Sequence, residues 1–230
     1  WLVEVRFIAN PELKSEKATS LELGLRSQIN TKLNFDLSLF LTEFDDVRAT
    51  MPDGQICRYS QQAVPNCLPD DRIITRLKGT NGIKADSHGL EIYGDWAVSR
   101  NVNVKLAYSY LDVTFKAKSP EIVVGATGLI FYRHQTSLLA YWQINNSHKL
   151  KLAYKYLDGL NQSSESEQLI EPSIHQLDLV HSYQFSSNYK LNLELKNLFN
   201  HEKRQWFAES PTGHASLSQQ EIRLGLEVQF

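Results

Sequence analysis

Residues Lys190–Asn197 read KLNLELKN, with a leucine at every second position and polar side chains at the positions between. This period of two predicts a β-strand with one apolar and one polar face, because successive side chains of a strand point to opposite sides. The same period recurs along most of the chain. It defines nine predicted strands, at residues 21–29, 33–42, 90–96, 102–110, 138–144, 149–156, 176–185, 190–197 and 222–230.

The connections between the predicted strands alternate between short and long. Short turns are predicted at Asn30–Thr31, Ser99–Asn101, Asn145–Ser147 and Ser186–Asn188. Long polar segments are predicted at residues 45–82, 116–133, 158–174 and 200–217. Short turns at one rim and long loops at the other are typical of an outer-membrane β-barrel, whose turns lie in the periplasm and whose loops lie outside the cell.

A soluble β-sandwich also alternates, and strand length favours the barrel. Strands of soluble proteins average five or six residues, whereas a tilted strand needs about 9–11 residues to cross a bilayer. The predicted strands approach or exceed that length. Aromatic side chains cluster near strand ends, as in the interfacial girdles of a barrel: Trp96, Tyr108, Tyr110, Trp142, Tyr154, Tyr156, Tyr183, Phe185 and Phe230. We therefore predict an all-β, antiparallel transmembrane β-barrel meander.

The composition excludes several classes of protein. The 230 residues are 42% hydrophobic and carry a net charge of −2, which argues against a disordered tail and gives no basis for nucleic-acid binding. The sequence has no GxSxG motif, no HExxH motif and no spaced carboxylate pair. Asp45, Asp46 and His201 are the residues that a rim enzyme could recruit, and we predict no enzymatic activity.

The chain has two cysteines, Cys57 and Cys67, in a polar segment rich in turn residues. Two cysteines this close in a loop favour a disulfide, which would place the loop in an oxidising compartment. The alternative is a pair of free thiols. No second pair of Cys or His residues lies at a spacing suited to binding a metal together with these cysteines. The nearby acids, such as Asp70 and Asp71, lack the regular spacing of oxygen ligands that a calcium-binding loop has. We predict no metal site and no cofactor.

Several short motifs, in this order, resemble those of TonB-dependent outer-membrane receptors. The segment NPELKSE resembles the family's NPxLKxE box, GLE resembles the opening of a descending strand, and NLFN resembles the top of the penultimate strand. An RHQ segment at 133–135 and the final aromatic residue fit the same pattern. The residues that carry the motifs are Asn10, Pro11, Leu13, Gly89, Glu91, Asn197, Leu198, Phe199, Asn200 and Phe230.

The resemblance implies a barrel of 22 strands with a plug domain in its lumen. Residues 1–230 would be the C-terminal portion of that barrel, an open fragment of nine strands, or ten if Trp1–Ile8 also pairs. The plug domain and the N-terminal barrel strands would then be absent, and Trp1 in place of a start methionine predicts a cut N-terminus. A complete ten-strand barrel, acting as a passive porin or adhesin, is the alternative.

The resemblance also implies a function and partners. Family members import a scarce nutrient across the outer membrane, most often a ferric siderophore or another iron chelate, with energy delivered by TonB through the plug. The expected partners are outer-membrane lipid, TonB, a small-molecule ligand such as a metal chelate, and the barrel assembly machinery through Phe230. The motifs do not identify the ligand-binding residues.

Charged residues on the polar faces are predicted to line the lumen: Glu22, Arg26, Asp36, Lys105, Lys151, Asp178, Glu194, Arg223 and Glu227. Four histidines near loop ends are conceivable haem ligands, although no haem motif is present: His134, His175, His201 and His214. His181 interrupts an apolar row, which predicts either an interface position or a local register change there. Leu198 and Phe199 break the alternation of KNLFN, which predicts a twist or bulge in the ladder there.

Overall fold

The computed structural model describes residues 4–122, 132–163, 168–171, 173–199, 204–205, 216–217 and 219–228. Trp1, Asn200, His201, His214 and Phe230 lie outside the described residues. No helix among the described residues is long and apolar enough to cross a membrane. The strands of the described part are β1 (Glu4–Ile8), β2 (Lys17–Asn30), β3 (Leu33–Cys57), β4 (Ile73–Ala97), β5 (Val102–Ala117), β6 (His134–Gln143), β7 (His148–Leu157), β8 (Leu160–Ser163), β9 (Gln168–Glu171), β10 (Ile174–Gln184), β11 (Tyr189–Lys196), β12 (Arg204–Gln205), β13 (Ser216–Leu217) and β14 (Glu221–Val228).

Nine long strands form one antiparallel sheet in the order β14-β11-β10-β7-β6-β5-β4-β3-β2. These are the nine predicted strands, and each pairs with its neighbour along the sequence. The four predicted short turns join β2 to β3, β4 to β5, β6 to β7 and β10 to β11. The described sheet is open, with β2 and β14 at its edges, so the predicted all-β meander with an open sheet is confirmed.

One face of this sheet carries the alternating apolar side chains, and it is strongly exposed. Leu23 is 71% exposed and Leu224 is 70% exposed, although both lie in the middle of their strands. Apolar rows continue from strand to strand, because Leu23 lies opposite Leu39, which in turn lies opposite Leu90. A continuous apolar face of this size matches the lipid-facing band of a barrel.

The predicted loop at 45–82 is wrong, because most of this segment is strand. β3 continues to Cys57, β4 begins at Ile73, and the loop itself spans only residues 58–72. Outside the bilayer neither face of a strand must be apolar, so the period of two disappears while the backbone ladder continues. The ladder shifts register three times on the way, after Phe44, Val47 and Pro52. We call residues 45–82 the outer hairpin.

The base of the outer hairpin has a small apolar core of its own. Ala49, Ile83 and Ile122 are buried together, and Met51 and Phe115 are among the side chains that pack against them. Burial of these side chains stabilises a hairpin that would otherwise project into water.

β1 belongs to the same sheet but not to the meander. It pairs in parallel with β4, from Glu4 opposite Ile74 to Ile8 opposite Lys78. β1 can pair with this part of β4 because β5 pairs with β4 only from Ile83 onward and leaves the edge before it unoccupied. Residues 4–8 of the segment predicted as an optional tenth strand therefore pair, and they do so against the outer hairpin.

Candidate functional site

The polar face of the sheet brings together the charged residues that were predicted to line the lumen. All nine of them lie on the face opposite the exposed leucines, because each occupies an alternate position of its strand. Several pair with one another or with a neighbour on the same face. Arg26 Nε lies 2.9 Å from Asp36 Oδ1, and Lys105 Nζ lies 3.2 Å from Asp95 Oδ2.

A hollow of about 770 Å³ opens on this face across β2 to β7. Its charged lining combines acids and bases: Glu22, Arg26, Asp36, Glu91 and Lys155. Glu91, from the GLE motif, therefore lies on the lumen side. A mixed, hydrated surface of this kind suits contact with a polar domain or a polar solute in the lumen.

Gly89, the first residue of the GLE motif, lies where three strands approach closely. It is opposite Phe40 on β3 and Leu111 on β5. A Cβ atom at this position would meet the backbone carbonyl oxygen of Tyr110 and the ring of Phe40. Steric crowding therefore explains why this motif position is glycine, since any side chain would collide with both neighbouring strands.

The NPELKSE motif crosses the outer hairpin from one edge to the other. We call residues 9–16 the strap, because they run from β1 on the edge of β4 to β2 on the edge of β3. Asn10 Nδ2 donates a hydrogen bond to the Gly79 carbonyl (2.8 Å), and Lys14 N donates to Asn81 Oδ1 (2.7 Å). The strap thereby ties β1 and β2 to the outer hairpin.

The turn within the strap explains two of the motif residues. Asn10 occupies the first position of the turn, where its carbonyl accepts a hydrogen bond from Leu13 N (3.3 Å) and its side chain accepts one from Glu12 N (3.1 Å). Pro11 follows at the position whose fixed φ angle favours such a turn. Leu13 then lies directly against Gly79.

Glu16 closes the far end of the strap. Its Oε1 accepts hydrogen bonds from the backbone N of Arg48 (2.9 Å) and from Arg48 Nε (3.2 Å). The backbone N–H of Arg48, ahead of its guanidinium, holds the pKa of the Glu16 carboxyl below its usual range, although burial acts in the opposite direction.

Cys57 and Cys67 are joined in a disulfide at the tip of the outer hairpin. Cys57 is fully buried. Asp71 fixes the other side of the loop by accepting hydrogen bonds from Tyr59 N (2.6 Å) and Ser60 Oγ (2.6 Å). Burial raises the pKa of the Asp71 carboxyl, but these hydrogen bonds together hold it below its usual range.

The adjacent acids Asp45 and Asp46 share one lysine. Lys118 Nζ lies 2.8 Å from Asp45 Oδ1 and 2.7 Å from Asp46 Oδ1. Its hydrogen bonds are the main reason that the pKa of each carboxyl lies below the usual range, and they raise the pKa of Lys118 in turn. Within the described ranges, no three His, Cys, Asp or Glu side chains come together where they could hold a metal ion.

This cluster predicts a dependence on pH. A depressed carboxyl pKa stabilises the fold above the ordinary aspartate pKa of about 3.9, and that contribution is lost as the pH falls through the lower folded value. The raised pKa of Lys118 matters at alkaline pH, where its contribution to stability is lost as the pH rises above about 10.4.

We expect Lys118→Gln to lower the unfolding temperature of the full-length receptor near neutral pH but not well below pH 3.9. Thermal scans across pH measure this, with Lys78→Gln as control. A Lys118→Gln effect that stays constant down to low pH would contradict the assignment.

The NLFN motif follows the last residue of β11, Lys196, whose ladder with β14 is unbroken. The predicted bulge lies on the side that faces β10. The register that sets Leu179 opposite Leu195 would bring Asn197 opposite Leu177, whereas it is Leu198 N that bonds the Leu177 carbonyl.

Asn197 adopts a φ angle of 53° and is only 3% exposed. Its backbone N donates to Asp178 Oδ1 (2.8 Å), and Leu198 N donates to the Leu177 carbonyl (2.8 Å). Asparagine suits this turn because it tolerates left-handed backbone better than most residues.

Two substitutions isolate the backbone requirement at Asn197. Asn197→Ala and Asn197→Gly both remove the side-chain amide, and only glycine accepts a positive φ angle without cost. We expect the alanine variant to be less stable than the glycine variant by about 1 kcal/mol. Urea unfolding of the full-length receptor measures the difference. Equal stabilities would show that the positive φ angle has no role.

The described histidines lie on the lipid-facing rows rather than in the lumen. Tyr108 Oη lies 2.8 Å from His134 Nδ1, and Tyr154 Oη lies 2.8 Å from His175 Nδ1. These pairs are part of the outer aromatic girdle, so neither histidine is presented to the lumen as a haem ligand. His181 stacks on His148 near the short turns, and the ladder of β10 with β7 keeps its register through His181, so a local register change is not the reason for this histidine.

The comparisons with known proteins agree with this geometry. A family model described as "TonB dependent receptor-like, beta-barrel" matches residues 4–198. No curated protein matches the chain. Among solved structures, the FrpB iron transporter from Neisseria meningitidis has a TM-score of 0.69 at 13% identity, and the match covers 97% of this chain and 33% of FrpB.

Two further structures have the same fold. The ferric-catecholate import receptor Fiu from K12 E. coli has a TM-score of 0.67 at 16% identity, over 96% of this chain and 29% of Fiu. The siderophore receptor PirA from Acinetobacter baumannii has a TM-score of 0.67 at 15% identity, over 97% of this chain and 33% of PirA. The chain thus spans about a third of each. With its family match over most of its length, the chain belongs to the TonB-dependent receptor β-barrel family of the Gram-negative outer membrane.

Proposed function

We propose that this chain is the C-terminal wall of a larger barrel that imports a ferric chelate by a TonB-dependent mechanism. The observation that carries the proposal is the family match over residues 4–198. The open edges of the sheet at β2 and β14 are consistent with further strands elsewhere in the longer protein. A plug domain in the lumen would face the charged side of the wall and would carry the contact with TonB.

We infer the ligand class from similar proteins of known structure. FrpB is named as an iron transporter, Fiu as a ferric-catecholate import receptor and PirA as a siderophore receptor. In this chain, the outer hairpin and its strap form the ordered extracellular structure that would surround an incoming chelate. Phe230 is proposed as the terminal signal for barrel assembly.

The wall is proposed to serve transport rather than catalysis. The acids that a rim enzyme could recruit, Asp45 and Asp46, are both held by Lys118. A carboxylate engaged in this way, with a lowered pKa, is a poor general acid or base near neutral pH.

The experiment that tests the ligand class uses the full-length receptor in a strain without other TonB-dependent receptors. Cells are supplied in parallel with labelled ferric triscatecholate, ferric trishydroxamate, ferric citrate, haem, cobalamin and an oligosaccharide. We expect one of the ferric chelates to accumulate above the level of cells without the receptor. Accumulation of cobalamin or the oligosaccharide alone would contradict the proposed ligand class.

A further inference from the structure

A second hollow opens on the lumen face near the periplasmic turns, and its charged lining has a single sign. It has a volume of about 530 Å³ and lies between the turn after β4 and strands β5, β6, β7 and β10. Among the residues that the structure describes, Arg100, Lys149 and Lys151 are the charged side chains that line it, and no carboxylate does. We call this the basic hollow.

These three cations differ from most other cations of the lumen face. Lys105 pairs with Asp95, and Lys190 pairs with Glu227 at 2.8 Å. Arg100, Lys149 and Lys151 have no ion pair within the part of the chain that the structure describes.

The side chains directly opposite the two lysines on the neighbouring strands are uncharged. Directly opposite Lys151 are Tyr141 on β6 and Val180 on β10. Opposite Lys149 are Gln143 and Ser182. Lys151 Nζ lies 5.8 Å from the centroid of the Tyr141 ring, which gives it a weak cation–π contact and no countercharge.

The acids of the same face that lie near the hollow are engaged elsewhere. Asp178 on β10 accepts a hydrogen bond from Asn197 N (2.8 Å), and Glu194 Oε2 on β11 lies 3.7 Å from Lys196 Nζ. Asp95 on β4 accepts hydrogen bonds from Asn103 Nδ2 (2.7 Å) and from Lys105.

The basic hollow thus combines unpaired cations with neutral hydrogen-bonding groups from Asn103, Gln143 and Ser182. Its volume lies within the range of small-molecule sites.

We propose that the basic hollow is an anion-binding site on the lumen wall, which takes a small solute with several carboxylate or phosphate-like groups. Cations on a concave wall focus a positive potential into the cavity, and rings of Lys or Arg are the means by which pores select anions. In the context of the proposed function, on which this part rests, the imported chelate is anionic and meets this site on its way toward the periplasm.

The direct test is citrate binding to the purified full-length receptor, measured by equilibrium dialysis at low ionic strength. We expect saturable binding that weakens as salt is added. The double variant Lys149→Gln/Lys151→Gln is expected to bind on the order of tenfold more weakly, and Lys149→Arg/Lys151→Arg to bind as the wild type does. Lys14→Gln/Lys78→Gln removes the same charge at the strap and the outer hairpin, away from the hollow, and is expected to have no effect.

The outcomes separate this inference from the proposed function. No saturable citrate binding, or binding that survives the double glutamine substitution, overturns the site and favours an acidic surface of another domain as the occupant of the hollow. Specific citrate binding supports the site even if no ferric chelate is imported, in which case only the transport proposal fails. Import of an electrically neutral chelate alone overturns the assignment of an anionic cargo.

Discussion

Gly89→Ala is expected to keep most of the full-length receptor from reaching the folded, heat-modifiable barrel. The added methyl group meets the Tyr110 carbonyl oxygen and the Phe40 ring, and a backbone atom has little freedom to move aside. Overpacking of this kind typically costs 1–3 kcal/mol, and contact with backbone places Gly89 at the upper end of about that range. The measurement is the mobility of unboiled receptor in gel electrophoresis, together with its urea unfolding midpoint.

Gly94 provides the matched control, because it lies on the same strand and a Cβ atom there meets nothing within 4 Å. Gly94→Ala is expected to fold as the wild type does. Normal folding of Gly89→Ala would show that the strands around Gly89 separate easily and that this motif residue has another purpose.

Loss of the disulfide is expected to open the outer hairpin without disturbing the membrane-spanning wall. Cys57 and Cys67 are ten positions apart, and closing a loop of this length contributes about 2–3 kcal/mol against the unfolded chain. In the double variant Cys57→Ser/Cys67→Ser, we expect trypsin to cleave at Arg58 or Arg72 much faster in intact cells. Heat modifiability of the barrel should remain.

Reduction of the wild-type receptor by a thiol reagent is the matched treatment, since it breaks the same bond without changing the sequence. We expect it to accelerate cleavage to a similar extent. If neither reduction nor substitution changes the rate, Asp71 and the backbone contacts of the loop hold it without help from the disulfide.

The membrane-spanning part of the fold could be predicted from the sequence because lipid imposes a strict pattern. Each strand must present apolar side chains to the bilayer and polar ones to the lumen, so a segment such as KLNLELKN specifies both the strand and its orientation. The inward position of residues such as Glu194 and Arg223 followed from the same alternation, and the structure confirms it.

The outer hairpin could not be predicted in this way. Between Asp45 and Gly82 neither face has to meet lipid, and register shifts interrupt the remaining alternation. Backbone hydrogen bonds hold these strands together, and such bonds do not require a particular order of apolar and polar residues in the sequence. The core around Ile83 and Ile122 depends on contacts between distant segments, for which the sequence offers no local signal.

The motif residues could be found from the sequence, although their physical roles required the structure. Nothing local predicts that Asn10 binds the Gly79 carbonyl, since 69 positions separate them. The alternation of KNLFN predicts the break at Asn197, but the left-handed backbone of Asn197 and its hydrogen bond to Asp178 are visible only in the structure. The basic hollow was missed because Arg100 and Lys149 come from different turns and strands, and their shared lack of partners is visible only in three dimensions.

We propose that this wall belongs to an importer driven by TonB. The most direct test compares surface binding and accumulation of the receptor's ferric chelate in the same cells, with and without TonB. We predict that binding at the cell surface persists without TonB and that accumulation stops. Accumulation that continues at the same rate without TonB would contradict the account and indicate a passive pore.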